Sequence, residues 1–303
     1  MFRIIKWFII SLFIMAIGGT VIYYGFPLLI INAVKGYHVK QAGLSDKTIQ
    51  LGQYSLPYYE GGEGDTLILI HGFGDNKYSF IPLAKFVSPN YHVLLPEVPG
   101  FGETARLLER NHSIRGQVEA LHQFILEKKL SKFHLAGNSM GGHIAAAYTL
   151  AYPEYVDKLI LLNAAGLLVN GDSVYHQTKV PLKNYSDFDV IMDKLFEIKP
   201  DFPNILKDDF IEKSAKSFQW QNQIIKQIHE GKDYILNDRI HQIQQHTLII
   251  WGRQDKIVKF AIGEAYHKGI PNSEIYVFDP GGHVPHHEYT EKTAQIMLNF
   301  LND

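Results

Sequence analysis

The chain has 303 residues, of which 46% are hydrophobic and 20% charged, and its formal net charge is −2. This composition is typical of a globular protein with a sizeable core, and the near-neutral charge argues against nucleic acid as a partner. The chain contains no cysteine, which excludes disulfides, thiolate chemistry and cysteine-based zinc sites.

The N-terminal segment, residues 1–35, is predicted to anchor the protein in a membrane. The stretch Trp7–Val34 carries no charge, and about 20 apolar residues suffice to span a bilayer core. The alternative is a cleaved signal peptide, with its apolar region at Trp7–Met15 and a cleavage site near Ala16–Gly19, which would leave a secreted protein. We favour the anchor because apolar sequence resumes at Val21–Tyr24. The short basic N-terminus favours a cytoplasmic start and a periplasmic or exterior catalytic part.

A series of short apolar runs beyond the anchor is predicted to form strands that are buried on both faces of a sheet. In chain order the runs are Thr66–Ile70, Tyr91–Leu95, Phe133–Ala136, Lys158–Leu162, Thr247–Trp251 and Ile275–Phe278. Helical patterns separate or follow them at Tyr78–Phe86, Ile114–Lys128, Met140–Tyr152 and Thr290–Leu301. This alternation predicts an α/β fold with a mostly parallel central sheet flanked by helices.

The stretch 168–245 interrupts this alternation, because it contains no run typical of a buried strand. It carries two helix-like segments, Phe188–Ile198 and Ile211–Glu230, and several prolines that would punctuate them. A crossover between parallel strands needs only a dozen or more residues, so this stretch is far longer than required. We predict a helical cap at 168–245, inserted between the core segments 50–167 and 246–303. Further crossover helices are the alternative.

Reactive side chains follow three of the predicted strands, at the edge where doubly wound sheets bind ligands. Ser139 follows the third run within GNSMG, Asp255 follows the fifth within WGRQD, and His283 follows the sixth within GGH. A serine hydroxyl needs an imidazole to take its proton, and the imidazole needs a carboxylate to fix its tautomer. The three residues together therefore indicate nucleophilic catalysis.

The GNSMG motif and the order serine, aspartate, histidine resemble the nucleophile elbow and triad of the α/β-hydrolase family. The resemblance runs from about Tyr54 to the C-terminus, and it implies that Ser139 is the nucleophile, with Asp255 and His283 as its partners. It also implies that Ser139 lies in a strained turn, where side chains at Gly137 and Gly141 would clash with the adjacent strand and helix.

The same resemblance implies an oxyanion hole made of backbone N–H groups. Met140, at the start of the helix that follows the elbow, would supply one donor. Phe73, which follows His71 and Gly72, would supply the other. His71 is expected to hold this loop by hydrogen bonds and not to act as a base.

Other acidic and histidine residues compete for these roles. Asp279 precedes His283 too closely in the chain to reach it from another strand, so Asp255 is the predicted acid. His286 and His287 are expected at the surface or in contact with the cap. The clustered histidines lack companion acids at the spacing of metal ligands, so neither a metal nor a cofactor is expected.

Within the family, the chain is most similar to membrane-anchored monoacylglycerol lipases and to small bacterial lipases and esterases. The similarity rests on the apolar N-terminus and on HGFGDNKYSF, PGFGET, GNSMGGHIA, WGRQD and GGHVPHHE. It implies hydrolysis of a carboxylic ester, such as monoacylglycerol or a short- to medium-chain acyl ester, through an acyl-enzyme on Ser139. The expected partners are this small amphiphilic substrate and, through the N-terminal segment, a membrane.

Two other functions stay open. A carbon–carbon hydrolase of meta-cleavage products shares the elbow, the cap and the GGH motif, although its small soluble substrates do not call for a membrane segment. A non-catalytic binding protein could keep the scaffold, although it would not need to retain Ser139, Asp255 and His283 together. Acyl-chain length, head group and oligomeric state are not determined by the sequence.

Overall fold

The computed structural model describes residues 7, 25–169, 175–177, 180–231 and 235–303. Most of the predicted membrane anchor, 1–6 and 8–24, therefore lies outside the described residues. Within the described ranges, no helix combines the length and the apolar character that crossing a membrane requires.

A single sheet forms the centre of the fold. Its strands are β1 Leu44–Leu51, β2 Tyr54–Gly61, β3 Thr66–Ile70, β4 His92–Pro96, β5 Phe133–Asn138, β6 Val156–Leu162, β7 His246–Gly252 and β8 Ser273–Phe278. They are arranged in the order β1-β2-β4-β3-β5-β6-β7-β8. The β1–β2 and β2–β4 pairs are antiparallel and all the other pairs are parallel, which confirms the predicted mostly parallel sheet.

Helices connect most of the strands. They are α1 Pro27–Gln41, α2 Ile81–Val87, α3 Ile114–Glu127, α4 Met140–Ala151, α5 Tyr185–Leu195, α6 Asn204–Glu230, α7 Phe260–Gly269, α8 Pro285–Glu288 and α9 Thr290–Asn302. The predicted helices at α3, α4 and α9 match within one residue at each end. The predicted helix at Tyr78–Phe86 is split into a 3₁₀ turn at Lys77–Phe80 and α2.

The sequence patterns did not predict β1, β2 or α7. The strand β1 lies at the sheet edge with most of its residues exposed, so it shows no apolar run, and Pro57 interrupts the pattern of β2. In α7, Gly263 breaks the helical pattern in the sequence. Glycine is needed there because the helix backbone approaches Trp251, and a Cβ atom would lie 2.8 Å from the indole ring.

The two faces of the sheet carry separate hydrophobic cores, because successive strand residues point to opposite sides. On β3, Ile68 and Ile70 face one core, where α3, α4 and α7 pack, while Leu67 and Leu69 face the other, where α1, α2 and α9 pack. All four side chains are at most 2% exposed. The sheet is therefore covered on both faces, and reactive side chains can meet only where the strands end.

The interval between β6 and β7 holds α5 and α6. The Phe188 ring of α5 packs edge-on against Phe202 and against Phe210 of α6, with 5.4 Å between ring centroids in both pairs. The C-terminal part of α6 joins the first core through Ile224 and Ile228. The helix begins at Asn204, before the predicted start at Ile211. The sequence pattern missed the first turns because they are polar and partly exposed.

Candidate active site

Ser139 occupies a strained turn between β5 and α4. Its backbone angles are φ 55° and ψ −116°, outside the regions that non-glycine residues favour. A Cβ atom at Gly137 would lie 2.3 Å from the Gly141 carbonyl carbon, and one at Gly141 would lie 2.1 Å from the Ile70 oxygen. The predicted clashes are confirmed, and they explain why glycine stands on both sides of this serine.

Asp255 and His283 form a buried hydrogen-bonded pair at the ends of β7 and β8. Nδ1 of His283 lies 2.7 Å from Oδ2 of Asp255, and the residues are only 3% and 6% exposed, respectively. The other carboxylate oxygen accepts hydrogen bonds from the backbone N–H groups of Ile257 and Val258. An ionised carboxylate can only accept, so Nδ1 of His283 carries the proton and Nε2 is left free to take one.

The elbow and the histidine loop are joined next to Ser139. The side chain of Asn138 donates from Nδ2 to the backbone oxygens of His283 and Leu162, at 3.1 Å each. The described residues include no direct hydrogen bond between the Ser139 hydroxyl and the His283 ring. Such bonds often tighten only when a substrate is bound, so this geometry is compatible with a nucleophile and its base.

Asn163 belongs to the same network, although the sequence analysis did not single it out. Its Nδ2 donates to Oδ2 of Asp255 at 2.7 Å and to the Gly282 oxygen at 3.2 Å. It follows β6 directly and has a positive φ of 44°, a conformation that asparagine tolerates better than most residues. The signal was available, because a polar residue soon after a buried strand is what singled out Asp255 and His283.

The loop that carries Phe73, one of the two proposed oxyanion donors, lies against Ser139. A Cβ atom at Gly72 would be 3.3 Å from the Ser139 Cβ, which brings Phe73 next to the elbow. Nε2 of His71 accepts from the Val98 N–H at 2.9 Å, so Nδ1 donates to the Gly72 oxygen at 2.8 Å. Met140 is the first residue of α4, where an N–H group has no carbonyl partner within the helix.

The remaining candidates take other positions. Asp279 pairs with the Arg253 guanidinium at 2.6 Å and with Gln254, so it is not a partner of His283. His287 contacts the predicted cap through Phe196, as expected.

The expectation for His286 was wrong, because this ring is 1% exposed and stacks on Phe80 with 4.6 Å between centroids. His286 belongs to α8 and packs against the 3₁₀ turn before α2, in the interior of the protein. Burial, together with the positive charge that His287 and His283 can carry, lowers the pKa of His286 well below its ordinary value. His286 is therefore a buried packing residue, and its Nε2 lies 3.4 Å from the Ser79 hydroxyl.

Helix α6 lies across the loops at this edge of the sheet. Trp220 donates from Nε1 to the Gly100 oxygen at 2.6 Å, and the Gln227 side chain accepts from the His112 N–H at 2.6 Å. Gln221 sits above the loop after β3, where a Cβ atom at Gly74 would lie 3.4 Å from its Nε2. The helix therefore covers the loops that flank Ser139.

The chain is similar along most of its length to known lipases. A family model described as the alpha/beta hydrolase fold matches residues 65–289. Lipase 1 of Psychrobacter immobilis is 30% identical over 85% of this chain and 84% of its own. Monoacylglycerol lipase ABHD6 of Bos taurus is 26% identical over 97% of this chain and 95% of its own. A crystal structure of a membrane phospholipase A, a bacterial virulence factor, has a TM-score of 0.86 and 28% identity, with 98% of both chains covered.

Proposed function

Because the chain belongs to the alpha/beta hydrolase fold family, we propose that it is a serine hydrolase that cleaves the carboxylic esters of small lipids. The observation that carries the proposal is the buried 2.7 Å pair of His283 and Asp255 at the sheet edge where the strained turn exposes Ser139. Monoacylglycerol, or another ester with a short or medium acyl chain, is the proposed substrate, and the lipase relatives support this class.

In the first half of the reaction, the Ser139 oxygen attacks the ester carbonyl carbon while Nε2 of His283 takes the hydroxyl proton. Asp255 stabilises the imidazolium that forms. The N–H groups of Met140 and Phe73 stabilise the negative charge that develops on the carbonyl oxygen. The bond to the leaving alcohol then breaks, His283 returns the proton to the alkoxide, and the acyl group remains on Ser139.

In the second half, water takes the place of the alcohol. His283 removes a proton from the water while the water oxygen attacks the acyl carbon. The N–H groups of Met140 and Phe73 stabilise the second oxyanion. The bond to Ser139 breaks, and its oxygen recovers a proton from His283. The products are a fatty acid and the free enzyme, and no step requires a cofactor.

The segment 168–245 is proposed to act as a cap over this site, and the contacts of α6 with the loops beside Ser139 support this role. Phe188 is 2% exposed and packs inside the segment, so it stabilises the cap and is not available to an acyl chain. The partly exposed Phe73, which packs on Phe101 with 5.0 Å between centroids, lies nearer to the nucleophile and offers an apolar wall.

The N-terminal segment is proposed to hold the protein at a membrane, with the catalytic domain outside the cytoplasm. Phe26, Leu28 and Leu29 around the start of α1 are more than half exposed and continue the apolar character of the preceding sequence. An amphiphilic substrate fits this arrangement, because a lipid surface concentrates it near the enzyme.

A fluorophosphonate probe tests the nucleophile directly. We expect one adduct on the wild type by intact mass and none on Ser139→Ala, whereas the exposed-site control Ser131→Ala labels like the wild type. Folded wild-type protein that does not label, even when α6 is loosened with mild detergent, would contradict the proposal. A panel of monoacylglycerols, p-nitrophenyl esters and a ring-cleavage product then separates an ester hydrolase from a carbon–carbon hydrolase.

A further inference from the structure

The carboxylate of Glu288 joins two segments that are distant in sequence. Glu288 is the last residue of α8, and both of its carboxylate oxygens lie 3.1 Å from the N–H of Gly282, the residue before His283. One of these oxygens also accepts from the N–H of Glu197 at 3.0 Å. Glu197 lies just beyond the end of α5, in the cap. One side chain therefore binds the histidine loop and the cap at once.

A second hydrogen bond runs between the same segments in the opposite direction. The backbone N–H of His283 donates to the oxygen of Leu195, the last residue of α5, at 2.8 Å. The peptide that carries the proposed base is thus bonded directly to the cap. A displacement of Leu195 or Glu197 would pull on the backbone of His283.

The contact of Gly282 with Glu288 and Glu197 is tightly packed. A Cβ atom at Gly282 would lie 2.4 Å from the Glu288 carboxylate and 2.6 Å from the Glu197 nitrogen, so only glycine fits between them. Lys256, the residue after Asp255, also donates to the backbone oxygen of Asp193 in α5 at 3.1 Å. Its pair with the Glu197 carboxylate, also at 3.1 Å, is partly exposed to solvent and is expected to add little to this attachment. The loops of both the proposed acid and the proposed base are therefore attached to the end of α5.

We propose that Glu288 is a positioning residue that fastens the end of α5 to the loop of His283, so that the cap sets the alignment of the base. The inference rests on the proposed function, because it takes His283 as the base and 168–245 as the cap. Charge suits this role, since a carboxylate has only acceptor atoms and can bind several N–H groups at once. A cap that moves to admit substrate releases His283, and its return restores the alignment.

The first experiment replaces the carboxylate with an amide of the same size. Glu288→Gln puts an NH₂ group against backbone N–H groups, and a small misplacement of a reacting group can lower the rate by about 10- to 100-fold. We expect a fall of that order in kcat for a soluble p-nitrophenyl ester, with KM changed by less than about twofold, because Glu288 does not touch the substrate. Glu291→Gln, an exposed change on the neighbouring helix α9, is the control and keeps the wild-type kcat.

The second experiment breaks the same link from the cap. Glu197→Pro removes the N–H that Glu288 accepts, and Phe196 already has φ −113° and ψ 134°, which suits a residue before proline. Glu197→Ala removes only the side chain and is the matched control. We expect Glu197→Pro to lower kcat as Glu288→Gln does and to speed amide hydrogen exchange at 281–284, whereas Glu197→Ala changes neither by more than about twofold.

The outcomes separate this inference from the proposed function. If the wild type labels at Ser139 while Glu288→Gln and Glu197→Pro keep the wild-type kcat and exchange rates, the positioning role is wrong and the serine hydrolase assignment stands. If the wild type does not label, the proposed function is wrong, and the positioning role, which rests on it, is wrong as well. If Glu288→Gln does not fold, the comparison of Glu197→Pro with Glu197→Ala decides the question by the same two readouts.

Discussion

Asn163 donates a hydrogen bond to the same Asp255 oxygen that binds His283, and both distances are 2.7 Å. The proposed acid is therefore held from two sides, by the ring that it orients and by an amide at the end of the neighbouring strand β6. Asn163 also bonds to the Gly282 oxygen, so it fixes the loop before His283. The position of the proposed acid therefore depends on a side chain outside the proposed triad.

Replacing Asn163 with glycine is expected to lower kcat by about tenfold, because Asp255 loses a hydrogen bond to its charged oxygen. Glycine accepts the positive φ, so the change removes the side chain without adding backbone strain. The exposed Lys129 has a similar φ of 56°, and Lys129→Gly is the matched control with unchanged activity. Ester hydrolysis measures both. A kcat for Asn163→Gly equal to that of the wild type would show that Asp255 needs no second donor.

Gly141→Ala is expected to destabilise the protein strongly, because the new methyl group would meet the Ile70 oxygen at 2.1 Å. Overpacking of this kind costs about 1–3 kcal/mol, and here the obstacle is backbone that cannot rotate away. Thermal unfolding measures the loss, and fluorophosphonate labelling reports whether the elbow survives. Gly36→Ala in α1 is the control. Its Cβ would meet nothing within 4 Å, so its unfolding temperature should be equal or higher.

Trp220→Phe is expected to weaken the attachment of α6. The substitution keeps an aromatic ring beside His112 but removes the N–H that bonds to the Gly100 oxygen at 2.6 Å. The expected loss in the free energy of unfolding is about 1 kcal/mol, which denaturant titration resolves. Tyr37→Phe removes the hydroxyl of a side chain on α1 that is 61% exposed and serves as the comparison, with a change within about 0.5 kcal/mol. Equal effects of the two variants would mean that the Trp220 bond is not stabilising.

Glu60→Gln is expected to lower stability in a pH-dependent way. Burial alone would raise the pKa of Glu60, but hydrogen bonds from Lys128, Lys47 and His92 outweigh it and lower the pKa to about 2. A carboxyl whose folded pKa lies below its ordinary 4.5 stabilises the fold above that value, and the contribution is lost as the pH falls toward about 2.

The measurement for Glu60 is the unfolding temperature of the wild type and of Glu60→Gln from pH 7 down to pH 2. The wild type should be the more stable protein at pH 7, and the difference should shrink steadily below about pH 4.5. Glu63→Gln, at an exposed position just after β2, controls for the loss of a charge. A difference that stays constant over the whole range would contradict the role of the lysine and histidine partners.

The sequence predicted the central part of the fold well, because β3 to β7 are largely buried on both faces and are therefore mostly apolar. It failed at β1, where solvent covers one edge and the pattern reads as polar, and at the start of α6, whose first turns have little to pack against. The sequence pattern arises from the burial of apolar side chains, and few side chains are buried at either place.

The residues of the candidate site also divide into those that the sequence singled out and those that only the structure reveals. Ser139, Asp255 and His283 could be proposed from the sequence because each follows a strand and has a reactive type of side chain. Asn163 and Glu288 act through hydrogen bonds to other residues, and only the folded chain reveals which groups they reach. Backbone contacts, such as that between His283 and Leu195, leave no trace in residue type at all.

The attachment of His283 to Leu195 and Glu288 also bears on when activity can appear during synthesis. A growing chain that ends before residue 283 has the proposed nucleophile, the acid and the cap, but it has neither the base nor the residue that positions the base. The second core closes only with α9, whose Met297 and Phe300 are at most 2% exposed. Under the proposed function, a ribosome-bound fragment is therefore inert, and hydrolysis begins only after the last helix has docked.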